Sequence, residues 1–382
     1  MPIAAEQPFN IRAHRFARSP FFDTYAPPGT LVAVYNRRIY PWSIGDDVVA
    51  NYWTLRRAVA MYDVPETPIE IVGPDAERLL DRVLTRDMAK LKVGRAGYGL
   101  ACQEDGGILM DGVLLRLAPD RFFYVQADGD FLGWLKAHGV GMDVTVRDPD
   151  SWVLQVQGPK SLDVLAAAAD DGLPQPFKYF DVVICRIGGQ EVAVSRTGWT
   201  NEMGFEVYTL DDIDGPKLWN DLMAAGKPHG IIGTGLDSMG IRRIEGGILD
   251  NGTDMDSAMT PFQAGLGKFV DFNKADFIGK AALEKADRTC LLYGIKVPGG
   301  APVRGTEVLS DGKTVGWTTA GAWSPYLECG VGYVRFDGPG FGPGDALTVR
   351  LPDGSEHDVE VVDLPFYDAE KLIPRGLSNE QV

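Results

Sequence analysis

The chain is poor in the residues that most often build disulfides and metal sites. Of 382 residues, four are cysteine and four are histidine. Cys102, Cys185, Cys290 and Cys329 lie far apart with no C-x-x-C pair, so a disulfide framework or zinc ribbon is excluded and core thiols in a reducing compartment are expected. His14, His138, His229 and His357 form no H-x-H or H-x-x-x-H spacing, which removes the usual histidine metal site and leaves surface or capping roles. No apolar run is long enough to span a bilayer. The opening segment MPIAAEQPFNIRAHRF lacks the basic-then-apolar order of a secretory signal, so a cytoplasmic protein with no membrane partner is expected. Positive charge is scarce as well: 37 Lys and Arg stand against 53 Asp and Glu, for a net charge of −16. Such a surface is unsuited to displacing counterions, so nucleic acid is not an expected partner. A neutral or cationic small substrate is tolerated, whereas an anionic ligand needs local Arg or Lys. The glycine-rich dinucleotide fingerprint, the P-loop and the G-x-S-x-G elbow are all missing. Gly265–Lys268 reads GLGK, but no strand precedes it and no Lys-Ser/Thr ending follows.

What remains is an ordinary globular composition, 45% hydrophobic and 24% charged, on a chain too long for one core. IEIVGPDAERLL (Ile69–Leu80) and VLQVQGPKSLDVL (Val153–Leu165) share one scheme: a strand, Gly-Pro, then a helix with an apolar stripe. Strand-like RFFYVQA follows the first copy, and DVVICRI and QEVAVSR follow the second. The expectation is a duplicated α+β module with antiparallel sheets. After a helix at KAALEKA (Lys280–Ala286) the texture changes. LLYGIKV, TEVLSD, KTVGWTT, VGYVRF, ALTVRL and HDVEVVDL are short strands, and Ser310–Lys313 and Pro352-Asp353-Gly354 supply hairpin turns. A small all-β barrel or sandwich closes the chain.

The candidate chemistry lies in isolated polar residues with glycine-rich or apolar neighbours. SRTGWTNEMGFEVYTL (Ser195–Leu210) reads as a β-hairpin, and strand alternation sends Glu206 to the face opposite Phe205 and Val207. Asp111 in GGILMDGVLL stands near a strand start, where turn capping and a functional carboxylate are both open. Tyr98 is either a half-buried packing residue or its companion. Arg242 and Arg243 sit side by side in a helical run, Leu236–Glu245, from which one of the two is expected to reach solvent. Asp254 in NGTDM completes the set.

These same stretches carry a resemblance. RAGYGLACQEDGGILMDGVLLRL, RTGWTNEMGFEVY, RIEGGILDNGTDM and TPFQAGLGKFVDFNKADFIGKAAL resemble the folate-dependent aminomethyltransferase family typified by the T-protein of the glycine cleavage system. The SPFF and VYNRRIYPW opening is similar to the branch that contains dimethylsulfoniopropionate demethylase. The resemblance implies two interleaved α+β domains over residues 1–285 and a β-barrel domain over 286–382, in a cloverleaf around a channel for tetrahydrofolate. It implies that Glu206 grips the pterin ring, which offers an N–H and an adjacent NH₂ to a carboxylate. It further implies that Asp111 and Tyr98 stand at the reacting nitrogen. Arg243 is then expected to contact folate beyond the ring, with Trp199, Asn251 and Arg304 as walls or anchors. The activity implied is methyl transfer from a small N-, S- or O-methylated substrate.

Three departures from the T-protein pattern point away from a lipoyl-arm substrate. Met110 replaces the first of two aspartates, Asp63–Thr67 reads DVPET in place of DVSHM, and Asn251 replaces a tyrosine. They leave two rivals: a folate-independent lyase that releases formaldehyde from a hydroxymethyl-bearing substrate, and a non-catalytic folate-binding regulator. The sequence names neither the methyl donor nor an oligomeric partner.

Overall fold

The computed structural model describes residues 12–378. Most of the opening segment discussed above, residues 1–11, lies outside the described residues. The two Gly-Pro motifs do join strand to helix, Thr67–Val72 to Ala76–Val83 and Val153–Gln157 to Ser161–Ala168. The glycine has the same cause in both copies. Gly73 and Gly158 take φ of +137° and +125°, and a Cβ on either would fall 2.5–2.6 Å from a backbone carbonyl oxygen of an adjacent segment, Asp143 O or Ala58 O. Only glycine lets the turn approach that closely.

Each strand–helix unit belongs to its own sheet. The first lies in a five-stranded antiparallel sheet whose order is Arg95–Cys102, Ile108–Ala118, Arg121–Gln126, Thr67–Val72, Thr145–Arg147. The second lies in a six-stranded sheet ordered Val182–Ile187, Gln190–Ser195, Gly204–Thr209, Val153–Gln157, Val59–Val64, Ile231–Thr234. Its last pair is parallel and the rest antiparallel. Val59–Val64 precedes the first sheet in the chain and the other strands follow it, so the two sheets interleave along the sequence. They share a core of Ala60, Tyr62, Leu115, Phe123, Val153, Ala193 and Tyr208, all fully or almost fully buried. Six strands between Leu292 and Val362 form a closed barrel packed around Ile295, Val308, Val334 and Val361. The fold is α+β with a duplicated strand–helix–strand unit and a small C-terminal barrel.

The barrel is fastened to the sheets through buried charge. Arg242 is fully buried and donates to Glu202 at 2.8 Å, with Glu245 at 3.5 Å. Glu245 also accepts from Tyr52 at 2.8 Å, from Ser324 of the barrel at 2.6 Å and from Tyr367 at 2.6 Å. This corrects the expectation that one arginine of the pair reaches solvent: Arg243 is 7% exposed and Arg242 not at all. Adjacent helical positions point in different directions, and here lobes cover both. Losing one member of a buried ion pair strands its partners in low dielectric. Arg242→Met is therefore expected to lower stability by about 3 kcal/mol, read from urea unfolding. The thiols are correct only for Cys102, which is buried; Cys185, Cys290 and Cys329 are half-buried, and all four are free.

Candidate functional site

The hairpin expected around Glu206 is formed by Gln190–Ser195 and Gly204–Thr209, with Ser195 opposite Glu206 on one side and Gln155 opposite it on the other. Every residue of Gly204–Thr209 is buried, because both faces of the strand are covered. Phe205 and Val207 enter the outer core, while Glu206 faces a cavity between the sheets and the barrel. Tyr208 donates to Glu206 Oε2 at 2.6 Å, Thr197 makes a short hydrogen bond to the same oxygen, and Gln155 Nε2 donates to Oε1 at 2.9 Å. Burial raises the pKa of this carboxyl, and the hydroxyls of Thr197 and Tyr208 act against the rise.

Asp111 is not a turn cap. Asp105 takes that role, accepting from Gly107 N at 3.0 Å, and the strand begins at Ile108, earlier than the glycines suggest. Asp111 therefore stands inside the strand, diagonal to Tyr98 on its neighbour, and Tyr98 Oη donates to Asp111 Oδ2 at 2.9 Å. Burial raises the Asp111 pKa to about 6, opposed by Tyr98 and by the nearby Asn251. Burial and the Asp111 charge together push the Tyr98 phenol well above its ordinary range, so it stays a donor. Asp111 Oδ1 and Asn251 Nδ2 are buried without a well-formed hydrogen bond of their own.

Arg243 is oriented rather than free. It donates to Asp254 and to Ile248 O, and Asp254 is held in turn by Thr319 at 2.7 Å and Asp250 N at 2.8 Å. Its guanidinium lies 5.1 Å from the Trp199 ring centre and 5.5 Å from that of Tyr333. Trp199 N donates to Gln155 Oε1 at 3.3 Å, which ties this wall to the Glu206 strand. Arg304 is exposed at the rim, on the turn leading into Glu307–Ser310 of the barrel.

All these groups line one cavity of about 1150 Å³: Asp111, Tyr98, Glu206 and Arg243, together with Trp199, Asn251 and Arg304. That exceeds the roughly 300–1,000 Å³ of an ordinary small-molecule pocket and leaves room for two ligands side by side. The fit to a reduced pterin rests on bare acceptors. Among the described residues Asp111 Oδ1 has no well-formed hydrogen bond, with only the Asn251 amide nearby, and Glu206 Oε1 accepts one, which suits a ring edge bearing N–H groups.

Sequence reasoning missed part of the wall. Tyr35 and Tyr40 come from the hairpin Leu31–Tyr35/Arg38–Ser43, whose two-residue turn, Asn36-Arg37, takes positive φ at both positions. Asn36 pins the tip to the five-stranded sheet: its N binds Asp128, its side-chain amide donates to Ala127 O and its carbonyl accepts from Gly129 N. Burial raises the Tyr35 pKa strongly, with the charges of Asp250, Glu66 and Asp111 adding to it. Glu66 also lines the cavity, and Gln155 Nε2 donates to its Oε1 at 3.2 Å. The only sequence signal for it was its place in a segment that departs from DVSHM. Among the described residues there is no group of His, Cys, Asp and Glu fit for a metal, and no helix is long and apolar enough to cross a membrane.

Comparisons with known proteins agree on one family. The GCVT N-terminal domain model matches residues 17–274 and the glycine cleavage T-protein C-terminal barrel domain model matches residues 291–368. The aminomethyltransferase of Thermotoga maritima is 34% identical, over 92% of this chain and 97% of its own. That of Halothermothrix orenii is 32% identical, over 91% and 99%. The dimethylsulfoniopropionate demethylase of Ruegeria pomeroyi is also 32% identical, over 90% of this chain and 95% of its own. The crystal structure of the glycine cleavage system aminomethyltransferase T from Bartonella henselae shares the fold, with a TM-score of 0.83 at 24% identity over 92% of this chain and 98% of that one.

Proposed function

The chain belongs to the glycine cleavage T-protein, or aminomethyltransferase, family, and from that premise we propose that it moves a methyl group from a small cationic donor to tetrahydrofolate. One observation carries this: a half-buried carboxylate, Asp111, with one oxygen fixed by Tyr98 and the other without a well-formed hydrogen bond among the described residues, in the same cavity as Glu206.

Tetrahydrofolate, when bound, supplies a nucleophilic ring nitrogen that accepts the methyl group. Glu206 holds the ring by accepting from its N–H edge, while Trp199 and Arg243 wall the path beyond it. Asp111 Oδ1 accepts from the reacting N–H, orients it, and takes the proton as the methyl is received. Tyr98 keeps the other oxygen occupied, so the bare one is the oxygen presented. The methyl leaves its sulfur or nitrogen with the bonding pair staying on that heteroatom, and a cationic donor departs as a neutral product. Tyr35, Tyr40 and Trp42 on the wall, with the carboxyl of Asp250, suit a small onium cation. Alignment in the cavity is the main contribution, worth effective molarities of about 10⁵ M or more in favourable cases.

The test mixes the protein with methylated sulfonium and ammonium compounds, with and without tetrahydrofolate, and follows demethylated product and methyltetrahydrofolate. Product that requires folate is expected. Release of formaldehyde from a hydroxymethyl-bearing compound, indifferent to folate, supports the lyase reading in its place, and folate binding without turnover of any methyl donor supports the regulator. A milder variant probes the acid itself. Tyr98→Phe removes a donor that lowers the Asp111 pKa, so the acidic limb of the kcat profile is expected to move to higher pH and kcat to fall about tenfold.

A further inference from the structure

Two carboxyl groups share one amide in this cavity. Gln155 Nε2 donates to Glu206 Oε1 at 2.9 Å and to Glu66 Oε1 at 3.2 Å, using both of its hydrogens. The two acids therefore lie within a ring's width of each other, and a ligand held by Glu206 is within reach of Glu66. Their surroundings differ. Glu206 receives two further hydroxyl donors, from Thr197 and Tyr208, which favour its charged form. Glu66 has the shared amide and the N–H of its own backbone but no hydroxyl donor, and its Oε2 is buried without a well-formed hydrogen bond among the described residues. Two like charges so close cannot both persist in a poorly solvated site, and the acid with fewer donors keeps the proton.

We propose that Glu66 is a second acid in the ring-binding site, protonated when the ring is held, and that its Oε2–H completes recognition of the ring edge beside Glu206. This rests on the folate reading above. A reduced pterin presents a carbonyl oxygen next to its N–H and NH₂ groups. A carboxylate and a neutral carboxylic acid side by side offer the complementary set, an acceptor pair and one donor. The proton of Glu66 Oε2 has no protein acceptor, so a ligand oxygen is its natural partner. Burial, with the Glu206 charge second, raises the Glu66 pKa to about 8. The other charged or titratable groups facing it are Arg38, whose Nη1 donates to Glu66 O at 2.8 Å, and the phenols of Tyr35, Tyr40 and Tyr208. All three phenols have pKa values raised by burial and stay neutral through this range. Of these groups Glu66 is the one that titrates in this range; Lys371, elsewhere on the cavity wall and lowered by burial to about 8, is told apart from it by the Glu66→Gln profile.

The experiment measures the Kd of 5-formyltetrahydrofolate, a stable probe, by tryptophan fluorescence from roughly pH 6.5 to 9.5, in wild type, Glu66→Gln and Glu66→Ala. In wild type, affinity is expected to fall about tenfold per pH unit above about pH 8. Glu66→Gln keeps a donor at the same place and is expected to bind within about threefold of the neutral-pH wild type, with no decline over that range. Glu66→Ala is expected to bind about tenfold or more weakly, without the pH dependence. A decline that persists in Glu66→Gln, or a flat wild-type profile, overturns the inference while leaving the folate reading intact. Absence of binding by wild type at every pH overturns that reading, and this inference with it.

Discussion

Glu206→Ala is expected to raise the Kd for tetrahydrofolate on the order of 10³-fold while lowering folding stability by only about 1–2 kcal/mol. The asymmetry follows from what each partner loses. The ring loses a charged acceptor in a poorly solvated cavity, where two charge-assisted hydrogen bonds are worth roughly 1.5–3 kcal/mol each. The protein loses the acceptor of Thr197, Tyr208 and Gln155, but these groups border a cavity of about 1150 Å³ that can admit water as a substitute. Removing the charge also makes it easier for Glu66 to ionise. Titration calorimetry beside urea unfolding separates the two quantities. Equal losses in both would make Glu206 a structural residue, and the ring-binding role would fall.

Asp111→Asn is expected to lower kcat on the order of 10³-fold with Kd for folate changed only a few-fold, the signature of a group that works on the proton rather than on the ring. Asparagine preserves the shape and can still meet Tyr98, but it takes up no proton. In wild type, kcat is expected to rise with pH and level off above an apparent pKa near the Asp111 value of about 6, because the carboxyl must be ionised to accept. That limb is expected to vanish in Asp111→Asn. Single-turnover kinetics across pH reads both effects. A variant with wild-type kcat, or one that keeps the acidic limb, contradicts the assignment.

The fold was legible where its signals are local. Two Gly-Pro turns flanked by apolar periodicity marked the repeat, and both glycines prove necessary because the neighbouring carbonyl leaves no space for a Cβ. The barrel strands were readable from short alternating runs and tight turns; Asp311 and Gly312 take φ of +48° and +73°. Glu206 drew notice as a carboxylate in the middle of an otherwise buried strand. Asp111 was harder, since the glycines beside it mimic a turn and the turn's real cap, Asp105, lies further back.

What could not be read was set by segments distant in the chain. Arg242 needed the convergence of Glu202, Glu245, Ser324 and Tyr367, which no local pattern announces. Glu66 is unremarkable until Gln155, 89 residues later, places it beside Glu206. Tyr35 and Tyr40 belong to a hairpin whose position depends on Asn36 reaching the Ala127–Gly129 turn. The cavity's chemistry is therefore a property of assembly, whereas its individual strands are a property of sequence.

The most direct measurement is a crystal structure of the protein soaked with tetrahydrofolate. The expected result places the ring in the cavity with its N–H and NH₂ groups on the Glu206 carboxylate and the methyl-accepting nitrogen at Asp111 Oδ1. A ring bound elsewhere, or in the cavity with Glu206 still turned only to Thr197, Tyr208 and Gln155, would contradict the account.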